Sequence, residues 1–207
     1  MTHIYAFGSL VRGEVEVDSD VDLLAITEGF DSNFDKNKYS IYSAERLRTL
    51  WEEGNPFAWH LSQESVLIYS SDGTDILKNF GPPAEYVNGL KDCRKFRMLL
   101  TDCFSSLDKA EHSITFELST IFLCVRNFAT CFQLSQFGEG VFSRDSAFLI
   151  GENSIALSNK VMSILKKSRM LSTRGIGETL TVDEIDLARS SLPSIAMWMD
   201  KLMEELG

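Results

Sequence analysis

The sequence predicts an α+β fold, with a small sheet domain over residues 1–85 and an α-helical bundle domain over residues 86–207. Three observations carry that reading. Strand-prone runs fall in the first part, at Ile4 to Phe7, Val21 to Ile26, KYSIYS (38–43) and SVLIY (65–69), and turn-forming residues separate them. Gly81-Pro82-Pro83 then stops any preceding helix, and composition changes after it. From about residue 88 onward the apolar residues recur at helical spacing.

Taken in order, the first strand breaks at Gly8-Ser9, where a short helix or turn begins, and the chain returns through a second strand that opens on Asp20 and Asp22. Residues 28–38 are polar, with Gly, Asp and Asn, and read as a loop. After KYSIYS, Ser43 caps a helix AERLRTLWEE that ends at Gly54, with Pro56 just beyond as a stop. Phe57 to Tyr69 becomes strand-prone toward its end, and Ser70-Ser71-Asp72-Gly73 is a turn. Helices are predicted at 89–109, 113–137, 145–150, 155–172 and 182–205. On the last, Thr181 and Glu184 form a capping box and Pro193 introduces a kink. No internal repeat is visible.

The bounds are those of a soluble globular chain. Hydrophobic residues make up 44% and charged residues 24%, and no apolar run reaches the roughly 18 residues of a membrane span. The chain opens almost directly in a strand, with no charged-then-apolar leader, so a cytoplasmic location is expected. Cys93, Cys103, Cys124 and Cys131 form no Cys-x-x-Cys pair and read as buried free thiols. Charge is unevenly spread, because residues 1–85 hold 15 acids and 6 bases while residues 86–207 hold 15 acids and 14 bases. The first part would repel nucleic acid, whose affinity comes from neutralised phosphates, so nucleic acid is not an expected partner. A cationic small molecule or a basic protein suits that surface better. The basic clusters Arg94, Lys95, Arg97 and Lys166, Lys167, Arg169, Arg174 read first as solvated helix faces, and second as anionic-ligand sites.

The chemistry lies in residues 3–26. In a strand, Asp20 and Asp22 point to one side, and two neighbouring carboxylates repel unless a cation sits between them. Mg²⁺, or Mn²⁺ in its place, suits the pair because it takes few carboxylates and leaves positions for water and phosphate oxygens. Gly8 lets backbone approach a ligand, Ser9 adds a hydroxyl, and N–H groups at a helix start face phosphate. The two halves together describe a cradle for a metal-bound nucleoside triphosphate. Without that chemistry the same residues read as a hairpin with a Gly turn and solvent-facing acids.

The order of apolar strand, Gly8-Ser9, Arg12-Gly13 and then Ser19-Asp20-Val21-Asp22-Leu23-Leu24 resembles the signature of the DNA polymerase β-like nucleotidyltransferase superfamily, especially its minimal and antibiotic-modifying members. The resemblance implies a small mixed β-sheet nucleotidyltransferase domain followed by a helical bundle that presents the acceptor. It also implies transfer of a nucleoside monophosphate from Mg²⁺-NTP to a hydroxyl of a small molecule or protein. Asp20 and Asp22 would then hold the metal and act in catalysis, while Gly8, Ser9 and Arg12 would bind the nucleotide. A carboxylate from the helical domain, Glu117 or Glu111, would complete the site; both also read as surface helix charges. Arg126 and Asn127 sit in a segment similar to helical domains that accompany such enzymes. The His of their ribonuclease motif is absent there, with Cys131, Phe132 and Gln133 at the positions where it would fall. Arg126 is left as a structural ion pair or a substrate contact.

Two departures stand against the family pattern. KYSIYS lacks the third carboxylate usual on the strand after Asp-x-Asp, with Glu45 and Glu64 as substitutes that do not match its place. A helix before the first strand is also missing, a role open to the last helix or to a partner subunit, so a homodimer is a further expectation. His60, amid Phe57, Trp59 and Leu61, reads as a core residue or as a proton-transfer group. The alternative function is a catalytically impaired, antitoxin-like protein that senses nucleotide or binds a partner while keeping the cradle.

Overall fold

The computed structural model describes residues 1–14, 21–28, 34–107 and 113–207. Asp20 and Glu111 therefore lie outside the described residues. The fold is α+β, and the chain divides into two compact units: residues 1–87 with 138–143, and residues 88–137 with 144–207. Residues 138–143, which follow the second predicted helix of the bundle, thus belong with the sheet unit.

The first unit holds a four-stranded sheet of β1 (Thr2–Phe7), β2 (Asp22–Thr27), β3 (Tyr39–Tyr42) and β4 (Ser65–Ser70), in the order β3-β2-β1-β4. β1 runs antiparallel to both β2 and β4, and β2 runs parallel to β3, so the sheet is mixed. One turn of helix, α1 (Ser9–Arg12), leaves the end of β1. Two nine-residue helices, α2 (Ala44–Glu52) and α3 (Pro56–Glu64), cover one face. Period-2 alternation puts Tyr5, Phe7, Leu24 and Ile26 on that face, where they bury with Leu47, Leu50 and Leu61. Each fully buried aliphatic side chain there contributes about 1.5–3 kcal/mol.

The strand expected at the end of residues 57–69 is β4, whereas the helix α3 ahead of it is an element the sequence reading did not name. Asn55 accepts a hydrogen bond from the Phe57 N–H at 2.9 Å, and Pro56 occupies the first helical position, where its missing N–H costs nothing. The residue expected to stop α2 therefore starts α3. A further short helix, α4 (Ile76–Phe80), begins at Asp75, whose carboxylate accepts from Lys78 N–H at 3.2 Å.

The second unit is a helical bundle of α5 (Gly89–Leu107), α6 (Ile114–Phe137), α7 (Asn159–Arg174) and α8 (Val182–Leu206), with α6 in contact with each of the other three. α6 is long and apolar enough to pass for a membrane span, with a mean hydropathy of 1.2, because it is the core helix, buried through Leu118, Phe128 and Phe132. The predicted helix at 145–150 is two short 3-10 turns, Ser146–Phe148 and Gly151–Asn153. Ser158 caps α7, and Thr181 with Glu184 forms a reciprocal capping box on α8. Arg97 grips Asp200 with two hydrogen bonds of 2.7 and 2.9 Å, tying α5 to α8. Lys166 and Lys167 pair with Asp145 and Glu184, so part of each basic cluster serves the bundle. All four cysteines are free and buried, and burial pushes the Cys124 thiol up to about 12.

Candidate active site

The register of the sheet builds the site. Phe7, the last residue of β1, pairs with Asp22, the first of β2, so the Asp22 carboxylate stands at the strand ends on the helix-covered face. Asp22 is exposed there, while Leu24 and Ile26, two and four residues on, are buried. Gly8 follows Phe7 with φ 71° and ψ −138°, a region that only glycine enters easily. A Cβ placed on Gly8 would come 3.0 Å from Asp22 Oδ2 and 3.7 Å from His60 Nε2. Gly8, Asp22 and His60 thus surround one small space that a side chain on residue 8 would fill.

Around that space the end of α3 supplies an acid. Gly8 N–H donates to Glu64 O at 3.1 Å, which places Glu64, at the junction of α3 and β4, directly beside the Gly8 turn. Gly8 therefore contributes shape rather than a donor, and any phosphate-facing N–H groups begin at Ser9. Arg12 Nη1 bonds Glu64 Oε2, and Arg12 Nε donates to Glu14 Oε2 at 2.8 Å. His60 Nε2 lies 3.0 Å from the same Glu64 Oε2, one helical turn away. Burial pushes the Glu64 carboxyl up, but His60 and Arg12 outweigh it and hold the group below the usual glutamate range.

The sequence-derived residues divide in a definite way. Gly8, Ser9, Arg12 and Asp22 come together at the β1–β2 end, whereas Asp20 lies outside the described residues. Glu117 sits in the first turn of α6, in the second unit, where its carboxylate takes a hydrogen bond from the buried Cys103 thiol. Glu45 is an exposed residue in the first turn of α2, placed to favour that helix's N-terminus. Arg126 is half-buried on α6. Glu64 and His60 join the candidate site; the sequence reading had weighed Glu64 as a substitute acid out of the family's place, and His60 as a core residue or a proton-transfer group.

Among the described residues no group of three or more His, Cys, Asp or Glu side chains is arranged to hold a metal. The donor chemistry nonetheless fits a hard divalent cation. Asp22 presents carboxylate oxygen beside a space that glycine keeps open, and Mg²⁺ needs only one or two carboxylates when phosphate supplies the rest.

Comparison with known proteins adds one family. Residues 2–63 match the model of the nucleotidyltransferase domain. No curated protein matches the sequence. Among solved structures, the crystal structure of spectinomycin adenyltransferase AAD(9) from Enterococcus faecialis with ATP and spectinomycin is similar with a TM-score of 0.47 and 12% identity, over 94% of this chain and 91% of that one. That likeness is too distant to carry a function across.

Proposed function

We propose, from the nucleotidyltransferase domain that residues 2–63 form, that the chain transfers a nucleoside monophosphate from a metal-bound nucleoside triphosphate to the hydroxyl of a small molecule or a protein side chain. The observation that supports this most is the meeting of Gly8, Asp22 and Glu64 at the ends of three adjacent strands. Asp22, with Asp20, would hold Mg²⁺ or Mn²⁺, which when bound would neutralise phosphate charge and polarise the α-phosphorus.

The chain's own residues have distinct tasks in this reading. Ser9 and Arg12 bind the β- and γ-phosphates, and Arg12 exchanges its grip on Glu64 and Glu14 for a phosphate oxygen. Glu64 accepts the proton of the acceptor hydroxyl as its oxygen attacks the α-phosphorus and pyrophosphate departs in line. A carboxylate held below its ordinary pKa is fully ionised at neutral pH, as that task requires. Glu117, bonded to Cys103 within the helical unit, remains the other candidate for the base.

The nucleotide-sensing alternative drew on the missing acid in KYSIYS, and Glu64 beside Gly8 weakens that ground. The test is incubation of the protein with α-³²P-labelled ATP or GTP, Mg²⁺ and a panel of hydroxyl acceptors, alongside calorimetry of nucleotide binding. Label transfer that disappears in Asp22→Asn and in Glu64→Gln supports the transferase. Equal nucleotide binding with and without divalent cation would remove the assignment.

A further inference from the structure

His60 occupies a position that packing alone does not explain. Its ring lies flat against Phe142, with centroids 4.5 Å apart and planes at 17°, and meets Phe7 edge-on at 5.5 Å. Its side chain is only 14% exposed. Such an aromatic slot would take Phe or Leu at lower cost, because a buried ring nitrogen must be used or lose its hydration. His60 Nε2 is within 3.0 Å of Glu64 Oε2, and this contact helps hold the Glu64 carboxyl below its usual range. The ring nitrogen thus addresses the Glu64 carboxylate directly. Phe142 comes from the 138–143 segment that joins the sheet unit, where Ser143 also donates to Glu14 Oε2 at 3.2 Å and Gly140 N–H donates to Gln63 at 3.2 Å. The segment therefore braces α3 and Glu14, just beyond α1, around Glu64.

We propose that His60 is a positioning residue for Glu64, an inference that rests on the transferase reading above. Arg12 and His60 both address one carboxylate oxygen, Oε2, so the oxygen left to take a proton is Oε1. When Arg12 passes to the nucleotide's phosphates, His60 is the group that keeps Glu64 in its rotamer, by keeping its Nε2 against Oε2. The slot between Phe7 and Phe142 lets the ring rotate little, which fixes the carboxylate plane relative to Gly8 and Asp22. The step is balanced: the acceptor O–H proton goes to Glu64 Oε1, the acceptor oxygen bonds the α-phosphorus, and the bond to the pyrophosphate oxygen breaks.

The experiment compares wild type, His60→Ala, His60→Gln and Glu64→Gln as full-length chains, each checked for folding by thermal circular dichroism. Pyrophosphate release from Mg²⁺-ATP with water as acceptor gives kcat and KM, and the ¹³C carboxyl resonance of Glu64, identified by its loss in Glu64→Gln, reports the side chain directly. His60→Ala should lower kcat by roughly tenfold or more at nearly unchanged KM, less than the roughly 10²- to 10⁴-fold that loss of a base costs. It should also move the Glu64 resonance. His60→Gln, whose amide reaches Oε2, should restore both, which a merely space-filling role would not. Unchanged kcat and an unmoved resonance in a folded His60→Ala, with Glu64→Gln inactive, overturn the inference and leave the transferase reading standing. Full activity in Glu64→Gln also overturns the inference, because it places the base elsewhere and leaves His60 no base to hold, while wild-type protein that releases no pyrophosphate removes the transferase reading itself.

Discussion

Replacing Gly8 by alanine tests the site at its narrowest point. The perturbation has two parts that the structure separates. Backbone strain comes from φ 71° and ψ −138°, a region that costs a residue with a Cβ on the order of 1–3 kcal/mol. Contact comes from the new methyl lying 3.0 Å from Asp22 Oδ2, so the carboxylate must withdraw by a few tenths of an ångström. Taking about 2 kcal/mol as the strain, a chain of this size should lose about 4–8 °C in Tm, at roughly 2–4 °C per kcal/mol. Gly13 supplies the control: its φ is also positive, at 73°, but nothing lies within 4 Å of its would-be Cβ. Urea unfolding followed by the fluorescence of Trp51 and Trp59 should therefore rank wild type above Gly13→Ala and Gly13→Ala above Gly8→Ala. Calorimetry with Mg²⁺-ATP should show affinity kept in Gly13→Ala and lost in Gly8→Ala. The reasoning fails if Gly8→Ala matches Gly13→Ala in both urea midpoint and nucleotide affinity.

Three further outcomes are expected. Asp22→Asn should abolish the dependence of ATP affinity on divalent cation while leaving the urea midpoint within about 0.5 kcal/mol of wild type, because the side chain is exposed and outside the packed core; calorimetry with Mg²⁺ and with chelator checks this. Phe128, fully buried on α6 against Trp198 with ring centroids 5.2 Å apart, should cost about 3–5 kcal/mol when cut to alanine, read from chemical denaturation of the helical unit. Glu64 has a folded pKa below its unfolded one, so its pairing stabilises the fold above the ordinary glutamate range and is lost as pH falls through the lowered value. The difference in urea midpoint between wild type and Glu64→Gln should therefore shrink between about pH 7 and pH 3, and a constant difference would contradict it.

What the sequence made legible was local. The Ser43 and Thr181 caps, with their polar side chains accepting from N–H groups three residues on, depend only on neighbours along the chain, and both form. The Gly8-Ser9 break and the run after Asp22 were legible for the same reason, since strand alternation decides which side Asp22 faces. Pro56 misled because a proline can end one helix or begin the next, and only the Asn55 cap decides between them. α4, with five residues, is too short for an apolar period to show. The 138–143 segment is separated by about 75 residues from the helix it braces, a pairing that no local pattern encodes.

Glu64, the candidate third carboxylate, shows most clearly how topology joins residues that lie far apart in the chain. The sequence reading sought the third carboxylate on the strand after Asp-x-Asp, which is β3, found KYSIYS without an acid, and named Glu45 and Glu64 only as substitutes out of place. In the sheet order β3-β2-β1-β4, that strand lies on the far side of β2 from β1. β4 instead pairs antiparallel with β1, and its first residue, Ser65, stands opposite Phe7. Asp22 stands opposite the same Phe7 from the other side. One residue of β1 therefore sets the register of both flanking strands, and the acids at their ends, Asp22 and Glu64, reach the turn at Gly8 together although 42 positions separate them in the chain. Lengthening the α3–β4 junction by one residue should dissociate the two: the sheet could keep its apolar pairing, while Glu64 would leave Gly8 and His60. Loss of nucleotide transfer with near-native circular dichroism is the expected result of such an insertion, and retained transfer would place the base elsewhere, with Glu117 the first to examine.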